Sequence, residues 1–353
     1  MDLVIQALEN DSLQVKGFAS RLLKEWGGEK GKQALLEFDP YLYFTKLDDW
    51  EVEEFNPEVG IVNPEGKAYV VNLGNIQLLI EDDRVNEVEA LICYLNDYNY
   101  EYGYPTSENY DDFLAILLTS HPVFKQIKAL FIGDSQIKTF RESYVEIGNI
   151  SSLLKAYQHL EVLHIRGCCE QLEFERVKHN NLKTLIIETV IGNHNAFEKI
   201  CSSNLPSLEY FELWMGQYYR PKHQNIIDIF KPILNSESFP NLYYLGIRSS
   251  ESADEIAEGI ARFCNTAELS ITDNLLILDL SMGNLTDEGL GLLVQSPAIS
   301  NLHTLNISNN CVSVEFLEQV EQLSAHDCEL IANFQEEIVD RGIGVSRYLA
   351  LYE

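Results

Sequence analysis

Residues 275 to 310 read LLILDLSMGNLTDEGLGLLVQSPAISNLHTLNISNN, and this stretch decides the architecture. It carries one pattern twice, with apolar anchors at i, i+3 and i+5: Leu275, Leu278 and Leu280, then Leu302, Leu305 and Ile307. The second and third anchors alternate with outward-facing residues, as a short strand requires. Three residues past the last anchor a polar group is needed to hold the turn backbone, and Asn310 stands there. An apolar side chain returns two residues later, at Leu285 in the first copy and Val312 in the second. Thr286-Asp287-Glu288 then opens a helical segment with Leu290, Leu293 and Val294 on one face. Each unit is a strand, a turn and a helix.

Working back towards the N-terminus, the anchors recur at Leu242/Leu245/Ile247, Leu208/Phe211/Leu213, Leu182/Leu185/Ile187 and Leu160/Leu163/Ile165. Two weaker copies stand at Ile127/Leu130/Ile132 and Val88/Leu91/Cys93. That makes eight copies, with start-to-start spacings of 39, 33, 22, 26, 34, 33 and 27 residues. Cys168 takes the turn position in the copy that ends at Ile165. Amphipathic stretches separate the strands: Phe113–Leu118, Ile150–Tyr157, Phe197–Ile200, Ile226–Leu234 and Phe316–Leu323. Ser252-Ala253-Asp254-Glu255 reads as a capping box ahead of Ile256, Ile260 and Phe263. One strand and one helix per repeat predict an α/β solenoid, with parallel strands on the concave face and helices on the convex one.

The stretch 275–310 resembles two repeats of the ribonuclease-inhibitor-like class of leucine-rich-repeat proteins, and residues 88 to 323 fit that horseshoe. LEYFELWMG (208–216), NLYYLGIRSSESADEIAEGIA (241–261) and the ending RYLALYE (347–353) are similar to an uncharacterised bacterial family of cytoplasmic leucine-rich-repeat proteins. The resemblance implies a soluble, non-enzymatic binding scaffold. Repeat lengths are irregular and cysteines sparse, so inhibition of a ribonuclease is not carried over.

The flanks differ in character. Residues 1–45 place Leu3, Val4, Ala7 and Leu8 at helical spacing, and the order Asp11…Val15-Lys16…Ala19…Leu22-Leu23 looks like half of a HEAT-type helix pair. One such unit is expected to dock as a cap or to belong to a longer array. Residues 46–87 hold two β-like runs, Ala68–Asn72 and Ile76–Ile80, read as a hairpin covering the open edge before the solenoid at 88–324. Residues 325–353 read as a C-terminal cap, a helix followed by the apolar Tyr348–Tyr352.

Charge narrows the function. Against 55 acidic residues the chain has 25 basic ones, a net of −30, so nucleic acid or anionic membrane is not expected as the main partner. The longest apolar run, Phe113–Leu118, is far short of the roughly 18 residues that a spanning helix needs. Met1-Asp2-Leu3 lacks a positive n-region, and seven cysteines show no disulfide framework, so a cytoplasmic location is expected. A solenoid capped at both ends is expected to be a monomer.

Catalytic signatures are weak. Gly27-Gly28-Glu29-Lys30-Gly31-Lys32 is one residue short of a phosphate loop, and Gln33 replaces its hydroxyl residue, so these read as linker glycines. His164, Cys168, Cys169 and His179 form the cysteine–histidine cluster, without the paired spacing of a zinc site. No catalytic residue, metal or cofactor is assigned. An enzyme or small-ligand protein using the concave cavity, or a structural subunit, are the alternative readings.

The binding prediction is more concrete. Residues between the second and third anchors form one outward row: Ile92, Phe131, His164, Ile186, Glu212, Gly246, Asp279 and Asn306. Those after the third anchor form the next: Tyr94, Gly133, Arg166, Glu188, Trp214, Arg248, Ser281 and Ser308. From these rows Tyr94, Phe131, His164, Arg166, Glu188, Glu212, Trp214, Arg248 and Asp279 are the candidate partner-binding residues, because Tyr, Trp and Arg dominate hot spots. The bland alternative is that Tyr94 and Trp214 cover neighbouring strands and Arg166–Glu188 is a cross-strand pair. The loop at 96–112 adds Tyr98, Tyr100, Tyr102 and Tyr104. It lies in an acidic block, 81–112, that holds ten acidic residues against Arg84; a second block, 48–58, holds six and no basic residue. A partner protein with a basic surface is therefore expected.

Overall fold

The computed structural model describes residues 1–10, 13–94, 100–101, 104–105, 110–133, 146–189, 191–219, 225–266, 274–296, 299, 302–323 and 328–335. The chain divides into two units, residues 1–49 and 50–353.

The first unit is helical: α1 (Asp2–Gln6), α2 (Leu13–Trp26), α3 (Gly28–Phe38) and α4 (Pro40–Tyr43). Leu8, Ala19, Leu23 and Leu35 form its own small core. The Lys24 ammonium fastens the end of the unit, bonding the Phe44 carbonyl at 2.8 Å and Asp49 at 2.9 Å. The glycines at 27–31 are not a linker. A Cβ on Gly27 or Gly31 would lie 2.3 or 2.5 Å from the Leu23 carbonyl oxygen, so their bareness lets α3 turn back against α2.

The second unit is one long parallel sheet with helices between its strands. Its strands are β1 (Glu51–Glu54), β2 (Lys67–Val71), β3 (Ala90–Cys93), β6 (Ala129–Ile132), β7 (Val162–Arg166), β8 (Thr184–Glu188), β9 (Ile191–Asn193), β10 (Tyr210–Tyr219), β11 (Tyr244–Ser250), β12 (Ile277–Asp279), β13 (Thr304–Asn306) and β14 (Glu329–Ile331). They lie in chain order from β1 to β14, with β9 joined to the side of β10. A separate two-residue pair, β4 (Tyr100–Glu101) and β5 (Tyr104–Pro105), runs antiparallel. The intervening helices are α5 (Ile76–Ile80), α6 (Asp111–Ser120), α7 (Ser151–Ala156), α8 (His194–Cys201), α9 (Ile227–Leu234), α10 (Ala253–Thr266), α11 (Asp287–Val294) and α12 (Val314–Leu323). The anchors read from the sequence meet them on one side in a continuous core, from Leu91 and Leu130 through Phe211 and Leu245 to Leu305.

Two expectations about the flanks are corrected. Residues 68–80 are not a hairpin: β1, β2 and β3 run parallel, so two more strands extend the same sheet at its N-terminal end. Ile76–Ile80 is helical because the Asn72 carboxamide oxygen accepts from the amides of Gly74 and Asn75, turning the chain straight out of β2. Ile76 and Leu79, one turn apart, are then both buried against the core. At the other end, β14 continues the parallel ladder from β13 instead of a cap beginning at 325. Tyr348–Tyr352 lie outside the described residues.

Two devices repeat from one unit to the next. Ser249, Met282 and Asn309 all stand two residues past the third anchor, and all have a left-handed backbone with φ of 53°, 63° and 54°. The helices are also tied in series. Thr286 makes no cap bond to its own helix; its amide and hydroxyl donate to Asp254 of the preceding repeat at 2.8 and 2.9 Å. Ser313 does the same to Asp287, at 2.7 Å for both bonds. The acids at the helix starts therefore hold the next repeat.

Candidate binding face

The parallel register aligns the outward row residue by residue. Ile92 pairs with Phe131, Phe131 with His164, His164 with Ile186, Ile186 with Glu212, Glu212 with Gly246, Gly246 with Asp279 and Asp279 with Asn306. The row lies on the sheet face turned away from the helices, as read. Its exposure is not as read: Ile92, Phe131, Ile186, Glu212 and Asp279 are all buried. Strands about 4.8 Å apart leave large side chains in register little room for water between them. Phe131 and His164 meet edge to face at 4.5 Å, and Tyr210 and Tyr244 stack at 3.9 Å.

Glu212 is the hub. Its carboxylate accepts from the Tyr210 hydroxyl at 2.5 Å, the Trp214 indole N–H at 2.6 Å and the Arg248 guanidinium at 2.8 Å. Burial would push this carboxyl up; the Arg248 charge and the Trp214 and Tyr210 donors overcome that and hold it below the ordinary range. Arg248 also donates to Ser281 Oγ at 3.0 Å and lies 4.8 Å from the centre of the Trp214 ring. The Tyr244 hydroxyl donates to Asp279 at 2.9 Å, and Asn306 Nδ2 donates to the same carboxylate at 3.0 Å. Gly246 makes this reach possible, since a Cβ there would come within 3.0 Å of the Tyr244 ring and 3.2 Å of Glu212 Cγ.

A second group sits on the neighbouring strands. Glu188 accepts from His164 Nε2 at 2.7 Å and from Arg166 Nε, and the Arg166 guanidinium lies 5.7 Å from the centre of the Phe131 ring. Burial would raise the Glu188 carboxyl, but the His164 bond and the Arg166 charge win and bring it to about 2, against an ordinary 4.5. A carboxyl lowered in the folded state adds stability that is full above its unfolded value and is lost as pH falls towards the folded one. The window runs from 4.5 down to about 2, and at 1.36 kcal/mol per unit the loss is about 3 kcal/mol. Urea denaturation of the wild type and Glu188→Gln should show their stability gap closing by that order between roughly pH 6 and pH 2. A constant gap would mean that Glu188 is not held ionised by these partners.

The candidate residues thus fall into two kinds. Glu188, Glu212 and Asp279 are buried counter-charges that fix their neighbours, while Trp214, Arg166 and Arg248 keep an exposed edge, the two arginines at 21% and 22%. Tyr94 stands apart at the end of β3, with Asn72 Nδ2 3.5 Å from its hydroxyl. Tyr100 and Tyr104 belong to the small antiparallel pair; Tyr98 and Tyr102 lie outside the described residues. Tyr210 and Tyr244 were not among the candidates. The signal that finds them is the alternation itself, since each stands two residues before a member of the outward row, Glu212 and Gly246.

Among the described residues, His164, Cys168, Cys169 and His179 are not brought together as one ligand set. His179 is buried, with Nε2 3.0 Å from the Tyr157 carbonyl oxygen and Nδ1 accepting from the Leu182 amide at 3.0 Å. His164 is engaged with Glu188. Cys168 instead meets Glu146 and Glu170, their ligand atoms within 4.8 Å of one another, and burial pushes its thiol up to about 12.

A parallel sheet that adds one strand per repeat, with helices on one face, defines a leucine-rich-repeat solenoid. No family model matches the chain, and no curated protein matches it. Among solved structures, a Bacteroides fragilis protein is similar over 91% of this chain and 85% of its own, with 23% identity and a TM-score of 0.63. That likeness is one of fold. TLR13, solved as a complex with ssRNA13, aligns over 79% of this chain and 37% of its own at 13% identity and a TM-score of 0.37. An internalin (inlF) from Listeria monocytogenes aligns over 77% of this chain and 73% of its own, at 13% identity and a TM-score of 0.33. No described helix is long and apolar enough to cross a membrane.

Proposed function

We propose that this chain is a non-enzymatic protein-interaction scaffold of the ribonuclease-inhibitor-like class, binding a partner protein on the concave strand face. The observation that carries this reading is Trp214 stacked on Arg248, both partly exposed and both tied to the buried Glu212. An aromatic ring and a guanidinium fixed before binding lose little freedom when a partner arrives, which is how a few residues come to dominate affinity. His164 and Arg166, packed on the buried Phe131, extend the platform, and the tyrosines of the acidic 96–112 loop are further contacts of the same proposal. Within the face two arginines stand beside three carboxylates, so the charges nearly balance. The pull on a basic partner comes from the acidic blocks at 48–58 and 81–112, which also argue against nucleic acid and anionic membrane.

The test is capture of partners from a lysate of the producing organism at roughly 0.05 and 0.5 M salt, with wild type and Trp214→Ala side by side. A basic protein retained by the wild type at low salt should bind Trp214→Ala at least about tenfold more weakly. Equal retention by both would place the partner elsewhere on the molecule.

A further inference from the structure

Among the described strands of the second unit, β1 ends the sheet on its N-terminal side, where a covering hairpin is expected from the sequence. β1 is the first strand of the order and pairs only with β2 among the described strands. The amides of Glu51 and Phe55 donate towards β2, to the carbonyls of Gly66 at 2.8 Å and Val70 at 3.1 Å. Successive residues of a strand point their N–H and C=O groups to alternate sides, so Val52 and Glu54 direct theirs away from β2. The side chains there are exposed as well, Val52 at 58% and Val59 beyond the strand at 65%.

The charge along this edge is of one sign. Glu53 is neutralised by Lys67, but Glu51, Glu54 and Glu58 are exposed and have no ion pair among the described residues. A second copy presenting the same edge would set glutamate against glutamate, which is unfavourable. We infer that β1 is a docking edge for an extended basic segment of a partner protein, which joins the sheet as an additional strand. The occupant's lysines or arginines would lie opposite Glu51 and Glu54, and an apolar residue opposite Val52. The edge lies at the far end of the sheet from β10, which carries Trp214, so the proposal stands or falls without that site.

The test uses the full chain and a fluorescent eight-residue peptide containing Lys-Val-Thr-Lys, which in a parallel strand sets lysine opposite Glu51 and Glu54 and valine opposite Val52. Fluorescence anisotropy should show binding, and hydrogen exchange should slow at the Val52 and Glu54 amides when peptide is present. The same peptide with N-methylated amides should bind at least about tenfold more weakly, because the hydrogen bonds to the edge are gone. Val52→Pro should lose affinity to the same degree while keeping its denaturation midpoint, since that N–H is outside the ladder. Val52→Ala, which keeps the N–H, should bind better than Val52→Pro, and Trp214→Ala should bind like wild type. Absence of binding, or equal binding of the methylated peptide or of Val52→Pro, would overturn the proposal.

Discussion

Arg248→Ala is expected to lower stability by about 3–5 kcal/mol, the cost of leaving a buried charge without its partner. The Glu212 side chain is 6% exposed and has Arg248 2.8 Å away. The other donors to its carboxylate, Tyr210, Trp214 and, at 3.4 Å, Tyr244, are neutral. Asp279 loses a neighbour too, because Arg248 Nε lies 3.8 Å from its carboxylate. Adding Glu212→Gln to Arg248→Ala should recover a large part of the loss, since an amide needs no counter-charge. Urea denaturation of the two single variants and the pair would give the coupling directly. If Arg248→Ala cost less than about 1 kcal/mol, water would be compensating Glu212, and the hub would be an exposed pair of ordinary strength.

The same geometry decides how binding experiments are read. Arg248 holds the Trp214 ring from one side and Glu212 its indole N–H from the other. Removing Arg248 therefore disturbs Trp214 as well, and a loss of affinity in that variant mixes contact with positioning. Trp214→Ala removes one donor to Glu212 and leaves the ion pair in place, so it is the cleaner probe of the face.

The repeats were legible because burial leaves its mark in the apolar pattern. Leu185 and Ile187, or Phe211 and Leu213, must all be buried on one side of a strand, and each is. The facing of the outward row follows from the same alternation. Its burial does not, because that depends on which residues stand side by side across strands separated by 22 to 39 positions in the chain. Tyr210 over Tyr244 is an example: neither residue alone signals a stack. The first strand and the helix after β2 escaped for a different reason. β1 reads EVEE, an edge strand with acids in place of anchors, and the Ile76–Ile80 run after β2 is equally apolar as a strand or a buried helix. Only the Asn72 turn settles which it is. Asp254 and Asp287 stand in helix-opening stretches, yet each serves the next repeat.

Asn310→Ala should be the second large effect, about 3 kcal/mol, through its hydrogen bonds to the Leu285 amide and the Leu280 carbonyl. Asn310 is buried, with Oδ1 accepting from the Leu285 amide at 2.8 Å. Its Nδ2 donates to the carbonyls of Leu280 at 2.9 Å and Ile307 at 3.0 Å. One side chain thus bonds backbone groups of its own turn and of the turn in the preceding repeat. Alanine leaves the Leu285 N–H and the Leu280 carbonyl without that partner, at roughly 1–3 kcal/mol for each group orphaned, while the Ile307 carbonyl keeps Gln335 Nε2 at 2.9 Å. Asn310→Asp is the decisive companion. It keeps the shape and the acceptor, but as a carboxylate it has no donor and sets its charge beside the two carbonyl oxygens. It should be at least as damaging as alanine, with the Leu285 amide still protected from hydrogen exchange in the aspartate variant and exposed in the alanine one. An aspartate variant as stable as wild type would show that the two donor bonds contribute nothing, and that this turn is held by the apolar side chains around it.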